Sequence, residues 1–221
     1  MNAKHVGVFF VGKTKGTMRS LERTGKERSV ADLCRIDERN VGLVRLDGRR
    51  NESEDVQADF LRAESTLGPN VPVKIRQRIA VALNLATYAW FSYEFYTVAA
   101  LWSLSCLEMA LSTKFAEEHP LPLKLTRKQK VLECVPIREV KVRLRHHWRI
   151  EGLPNFDFTL RALLVWAQDA GFLPSETDAK AIADFRNDMV HRSEFNWTLM
   201  PDQTLHMFDL LIRVVVKLWP E

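Results

Sequence analysis

The fold is decided by residues 75–115, IRQRIAVALNLATYAWFSYEFYTVAALWSLSCLEMALSTKF, a segment with no proline and no glycine. Two uncharged runs, 79–93 and 95–107, are separated only by Glu94. A helix rises about 1.5 Å per residue, so one straight helix over the segment would be about 60 Å long, more than a domain of this size spans. We therefore predict a long helix, buried on most sides, that bends or breaks near residues 92–95.

The uncharged runs leave a second reading open, a membrane span. A span requires about 20 apolar residues without a central carboxylate, and both runs are shorter than that. A helix buried in the domain core or in a dimer interface is therefore favoured, and its aromatic side chains are packing groups rather than a stacking platform. A buried carboxylate needs a basic partner or a hydrogen-bond donor. Arg186 is one candidate partner for Glu108, and a groove edge exposed to solvent is the alternative.

A shorter helix carries the second informative stretch, FRNDMVH at residues 185–191. Ser175 and Asp178 have the spacing of a capping box, which predicts that the helix starts there. On a helical wheel Arg186 lies beside the buried face, and His191 lies about 180° from its centre. A histidine in that position can exchange protons near pH 7. The buried face is an apolar stripe at helical spacing, formed by Ile182, Phe185 and Met189.

Arg186, the polar Asn187 and His191 resemble the R-x(4–6)-H signature of HEPN domains. Those domains are all-helical and usually dimeric, and many are metal-independent ribonucleases or toxins. The long apolar helix and an apolar helix at the end of the chain also resemble the family. The resemblance implies an all-α, HEPN-like helical bundle with a long bent central helix over residues 71–221.

The resemblance also implies a site and a reaction. Arg186, His191, Asn187 and Glu108 would be catalytic in an endoribonuclease that uses no metal or other cofactor. RNA supplies its own nucleophile, the 2′-hydroxyl. His191 would move a proton, Arg186 would bind the phosphate, and Asn187 would orient a side chain or the RNA. Many members place Lys or Arg four residues after the earlier Glu, whereas Ser112 stands at that position here.

Arg186 and His191 cannot share one phosphate on a straight helix, because five positions rotate the side-chain direction by about 140°. Either the helix ends or distorts before His191, or two protomers combine their copies about a two-fold axis. The second arrangement implies a homodimer with RNA as its substrate, and the toxin reading adds a possible antitoxin protein as partner. The competing function is a non-catalytic HEPN-like helical dimer that binds RNA or a protein partner.

Residues 1–70 are predicted to be a basic N-terminal extension, weakly folded or with a small β structure. The first 50 residues carry 12 Lys and Arg against 6 Asp and Glu, which is +6 in a chain of net charge +4. Residues 6–11 and 41–46 are predicted short strands. Residues 7–14 match the phosphate-loop pattern G-x-x-x-x-G-K-[ST]. The missing strand before it favours coincidence over the third function considered, a nucleotide-hydrolysing or nucleotidyl-transfer accessory protein that uses Lys13.

Residues 119–155 are a basic insertion into the helical domain. Nine Lys and Arg but only two acidic residues lie between residues 124 and 149. Residues 140–145 alternate apolar and basic side chains, which predicts a strand with one basic face, and residues 121–125 alternate similarly. Dense Lys and Arg neutralise RNA phosphates, and a solvated face is the alternative. The predicted RNA-binding residues are Lys141, Arg143, Arg145 and Arg149.

The C-terminal part predicts two further amphipathic helices. One covers residues 158–170 and ends at Gly171. The other begins at Pro201, which suits a first helical turn. The three cysteines, Cys34, Cys106 and Cys134, are far apart and lack metal-ligand spacing, and the first residues lack a signal-peptide pattern. We therefore expect a cytoplasmic location, with no disulfide, no zinc site and no membrane partner.

Overall fold

The computed structural model describes residues 35–41, 58, 62, 64–128, 130–134, 137–153, 156–174, 177–191, 199 and 201–221. Within this part the chain forms six α-helices: α1 Val73–Tyr88, α2 Phe95–Glu118, α3 Ile137–Arg145, α4 Leu160–Asp169, α5 Ala179–His191 and α6 Pro201–Leu218. Three strands form one sheet: β1 Leu123–Arg127, β2 Lys130–Cys134 and β3 Arg149–Ile150. The protein is mostly helical, and the all-α prediction is correct only in part because the insertion contains this sheet.

The 75–115 segment folds as two packed helices, so the prediction of one long bent helix is wrong. The predicted break is confirmed, because α1 ends at Tyr88 and α2 begins at Phe95. The chain reverses at the break. Arg78 of α1 and Trp102 of α2 lie on opposite sides of the break in sequence. The Arg78 guanidinium carbon nevertheless lies 5.6 Å from the centroid of the Trp102 ring, so the two helices run back along each other. Reversal buries the apolar faces of both runs against each other, which a bend cannot do.

A short 3₁₀-helix, Glu38–Asn40, covers the connection between α1 and α2. The buried Asn40 amide donates to the carbonyl groups of residues 89 and 90, each at 2.9 Å. The buried Asp37 carboxylate accepts the Tyr93 N–H at 3.0 Å. The bonded backbone groups belong to the connection, where neither helix supplies them with a partner, and buried backbone groups need such partners. This part of the N-terminal extension is therefore bound to the helical domain.

We predict that Asn40→Ala lowers the free energy of unfolding by about 1–3 kcal/mol, because two carbonyl groups of buried residues lose this donor. Urea denaturation followed by circular dichroism measures the change. Glu38→Ala is the matched control, since Glu38 is an exposed residue of the same turn. The control should change the free energy of unfolding by less than about 0.5 kcal/mol. Equal stability of Asn40→Ala and the wild type would contradict a capping role for Asn40.

Helix α2 is the centre of the helical part, and it contacts α1, α4, α5 and α6. By length and composition alone it could cross a membrane, but half of its apolar window is buried inside the protein. Phe115, in the last turns of α2, has no exposed surface. Its ring stacks on those of Phe156 and His119, with 4.2 Å between centroids in each case. Packing inside the protein thus accounts for the buried half of this apolar window.

The C-terminal helices match their predicted positions except at the start of α5. That helix begins at Ala179, and Oδ1 of Asp178 accepts the N–H groups of Lys180 at 2.9 Å and Ala181 at 3.0 Å. Asp178 is therefore the N-cap itself, since capping side chains accept from the second and third helical residues. The predicted helix start at Ser175 is wrong, and Ser175 lies outside the described residues.

The basic insertion folds onto the main core. β1 pairs antiparallel with both β2 and β3, so the strand predicted from the alternation at 121–125 is confirmed. The strand predicted at 140–145 is wrong, because these residues belong to α3. Val140 and Leu144 are buried, whereas Val142 is 46% exposed. A spacing of four residues fits both a strand and a helix, so this short run had no unique reading.

Most predictions for residues 1–70 concern positions outside the described residues. They include the strands at 6–11 and 41–46, apart from Val41, and the phosphate-loop match with Lys13. The predicted boundary near residue 70 lies beside the end of the chain, where the Asn70 amide donates to the carbonyl of Pro220 at 2.8 Å.

Candidate functional site

The predicted catalytic Arg186 lies where α5 meets α2. Its Nη2 is 3.8 Å from Oε2 of Glu108, so the pairing considered from the sequence is present. Its Nη1 donates to Oδ1 of the neighbouring Asn187 at 3.3 Å. Three of the four predicted catalytic residues therefore lie together. We call them the Arg186 cluster: Arg186, Asn187 and Glu108.

The Arg186 cluster is open to a ligand from solvent. The side chains of Arg186 and Glu108 are 31% and 35% exposed, and Asn187 is exposed. The distance of 3.8 Å between Nη2 of Arg186 and Oε2 of Glu108 is longer than a charge-assisted hydrogen bond, which is about 2.7–2.9 Å. A guanidinium carries five N–H donors in a planar fork. A phosphate can therefore bind one side of the Arg186 guanidinium while Glu108 faces the other side.

His191 is the last residue of α5. The helix continues without a break from Arg186 to His191, so the first arrangement considered from the sequence, a helix that ends or distorts before His191, is absent. Along an unbroken helix the two side chains leave the axis about 140° apart. The remaining arrangement combines residues of two copies. The structure describes the backbone of His191 but not its side chain, and the role of that side chain stays a prediction.

We predict that the Arg186–Glu108 pair contributes less than about 1 kcal/mol to stability, because solvent screens ion pairs that are partly exposed. A double-mutant cycle with Arg186→Gln and Glu108→Gln, measured by urea denaturation, gives this coupling energy. The control is the Arg213–Asp209 pair within α6, at 3.0 Å and with side chains 42% and 58% exposed. A coupling energy above about 3 kcal/mol would instead show that the pair stabilises the packing of α5 on α2.

A second site lies in the basic insertion, on the face of α3 that points away from the core. α3 and the turn after it supply all of its residues except one, which is the last residue of β1. Small-molecule pockets have volumes of about 300–1,000 Å³, and this open groove has a volume of about 650 Å³. We call it the basic groove, and it is lined by Arg127, Arg138, Glu139, Val142, Arg143, His146 and Trp148.

Positive charge dominates the basic groove. Arg143 is paired with Glu139, with 3.1 Å between Nη2 and Oε1. Among the residues that the structure describes, Arg127 and Arg138 have neither an ion pair nor a hydrogen bond to their side chains. A guanidinium without a protein partner is a strong donor for a phosphate or carboxylate group. The groove therefore offers two guanidinium groups to an anion.

A helix C-cap fixes Trp148 at the edge of the groove. The Trp148 N–H bonds to the carbonyl of Arg143 at 3.2 Å, and the His147 N–H bonds to the carbonyl of Leu144 at 3.1 Å. His147 has a positive φ of 65°. These are the two hydrogen bonds and the left-handed residue of a Schellman motif. The backbone of Trp148 is therefore fixed, and its indole is partly buried against the core.

The basic groove contains only one of the four residues predicted to bind RNA, Arg143. Lys141 lies outside the lining, with its Nζ 5.5 Å from the centroid of the Phe158 ring. Arg145 also lies outside it, and Arg149 donates to the carbonyl of Trp148 at 3.0 Å. The predicted single basic face is absent because α3 is a helix, where side chains two residues apart point about 160° away from each other.

Arg127, Arg138 and Trp148 lie in the basic stretch noted from the sequence but were not among the residues predicted to bind RNA. A spacing of four residues separates Arg138, Val142 and His146. This helical spacing could have placed them on one face of a helix from the sequence. Arg127 comes from another element, and only the tertiary structure places it there.

The described thiols are poor nucleophiles. Cys106 and Cys134 are free and buried. Burial raises the pKa of Cys106 to about 12, although the nearby Arg78 opposes this shift. The reactive thiolate is therefore scarce near neutral pH. Within the described ranges, no group of three or more His, Cys, Asp or Glu side chains could hold a metal ion.

We predict that Cys106 resists thiol reagents in the native protein at pH 8, because a raised pKa keeps the thiol protonated until the pH approaches about 12. A variant with Cys34→Ala and Cys134→Ala leaves Cys106 as the single thiol, and its reaction with Ellman's reagent measures the rate. The same variant in urea should react at least about 100-fold faster, since unfolding restores a pKa near 8.5. Equal rates in both states would contradict the buried, protonated thiol.

Comparison with known proteins gives no relative for either site. The chain matches no protein-family model, and no curated protein or solved structure matches it significantly.

Proposed function

We propose that the protein is a metal-independent endoribonuclease of HEPN type, a toxin or antiphage-defence effector that acts as a dimer. The observation that carries the proposal is the accessible guanidinium of Arg186, held by Glu108 and Asn187, on the helix that ends at His191. This helix combines a guanidinium that can bind a phosphate with an imidazole that can carry a proton. The resemblance of residues 186–191 to the HEPN signature supports the same assignment.

In the proposed reaction, the 2′-oxygen of RNA attacks the adjacent phosphorus, and the bond from phosphorus to the 5′-oxygen breaks. One His191 imidazole takes the proton of the 2′-hydroxyl. The imidazolium formed in this way then gives a proton to the departing 5′-oxygen. The products are a 2′,3′-cyclic phosphate and a 5′-hydroxyl. Substrate RNA supplies the nucleophile, which DNA lacks.

Arg186 binds the phosphate and stabilises the negative charge that develops in the transition state. Glu108 faces the guanidinium at 3.8 Å and favours this orientation before the substrate binds, which reduces the entropy lost on binding. Asn187 accepts from the guanidinium as well, so that two side chains define its position.

A homodimer is part of the proposal, because the unbroken α5 separates Arg186 and His191 on one copy. An isologous interface brings the same helix of two copies together across a two-fold axis. A toxin also requires an antitoxin protein that restrains it, and RNA of the cytoplasm is its substrate.

We predict that the purified protein cleaves total RNA in EDTA and that His191→Ala lowers the rate about 10²–10⁴-fold, the usual loss when a general acid or base is removed. Electrophoresis of end-labelled RNA measures the rate, and the new ends should carry a cyclic phosphate. The control is His206→Ala, which alters an exposed histidine of α6 and should leave the rate unchanged. Cleavage by His191→Ala at the wild-type rate would show the assignment to be wrong.

A second function is favoured by one observation, the carboxylate of Glu108 that already faces Arg186. A non-catalytic HEPN-like helical dimer, which binds RNA or a protein partner, would keep this pair as a structural contact. RNA binding without cleavage, and induced expression without growth arrest, would select that function. Growth arrest that is relieved by Arg186→Ala would select the ribonuclease.

A further inference from the structure

The basic groove shares no residue with the Arg186 cluster. Its three arginines and one glutamate give it a formal charge of +2 when His146 is neutral. Two of the arginines, Arg127 from β1 and Arg138 from α3, approach from different elements, and neither has a partner among the described residues. Guanidinium forks match the oxygens of a phosphate in a bidentate manner. The charge therefore selects an anion, and two separate forks suit successive phosphates of a chain.

Trp148 indicates which class of anion the basic groove can bind. Trp148 lines the groove, and the C-cap of α3 fixes its backbone at the groove edge. Sites for single-stranded nucleic acid combine a positive groove with an aromatic ring on which a base stacks. Bases inside an RNA duplex are already stacked and cannot reach such a ring. A groove of about 650 Å³ has room for a nucleotide beside the ring.

We infer that the basic groove binds single-stranded nucleic acid, with phosphates on Arg127 and Arg138 and a base stacked on Trp148. Arg143, which is paired with Glu139 at 3.1 Å, also lines the groove. The inference does not depend on cleavage, and it applies whether or not Arg186 and His191 cut RNA.

The test is the fluorescence anisotropy of a fluorescein-labelled octauridylate whose 2′-hydroxyl groups are all methylated, so that the proposed ribonuclease cannot shorten it. The double variant Arg127→Gln/Arg138→Gln should weaken binding at least about tenfold. It should also reduce the slope of log K against log salt by about 1.4, since each phosphate contact on a single strand contributes about 0.7. Trp148→Leu should weaken binding about 5- to 150-fold through the lost stacking.

Matched controls separate the groove from general charge. The double variant Lys141→Gln/Arg145→Gln also removes two positive charges, but from residues of α3 that do not line the groove. It should change the affinity by less than about threefold. Trp148→Phe keeps a ring in the groove and should bind with an affinity between those of wild type and Trp148→Leu. It also tests stacking if Trp148→Leu does not fold, which a thermal melt of each variant detects.

Three results would overturn the inference. The first is no binding of the octauridylate at about 100 µM protein, which is the weak end of non-specific affinities. The second is an equal loss of affinity in the two double variants. The third is equally tight binding of labelled duplex RNA or polyglutamate, which would assign the groove to a duplex or to an acidic protein segment. The probe cannot be cleaved, so none of these results affects the His191→Ala test of the proposed ribonuclease.

Discussion

The rest of the structure depends on the burial of α2, a helix of 24 residues whose first 13 residues carry no charge. A helix that is apolar on nearly every side needs other helices on nearly every side. α1 folds back along it, and α4, α5 and α6 also contact it. Glu108 is the first charged residue after the uncharged run, and it lies at the edge where α5 meets α2. The position of Arg186 is therefore set by the way in which α2 is covered.

Local patterns were sufficient where an element is long and its boundaries carry strong signals. The break before Phe95 and the helix beginning at Pro201 could both be predicted from the sequence. The reversal of the chain at the break could not, because it is a tertiary contact, and the side chains that bond to the connection, Asp37 and Asn40, lie about 50 residues away. The helix α3 was missed because Val140 and Leu144 satisfy the period of a strand as well as that of a helix.

The two candidate sites differ in how far the sequence could indicate them. A carboxylate in a mostly apolar helix needs a partner, which made the contact between Glu108 and Arg186 foreseeable. The basic groove was not foreseeable in detail, since Arg127 reaches it from a strand and Arg143 is occupied by Glu139. Counting basic residues located the insertion, but only the helical geometry of α3 separates the residues that line the groove from those that do not.

The central claim is that Arg186 of one copy and His191 of another act on the same phosphate. Mixing the two inactive variants Arg186→Ala and His191→Ala, after unfolding and joint refolding, tests it most directly. Half of the dimers would then be mixed, and one of their two composite sites would be intact, so RNA cleavage should recover to about a quarter of the wild-type rate. A mixture that stays as inactive as the separate variants would contradict a site shared between two copies.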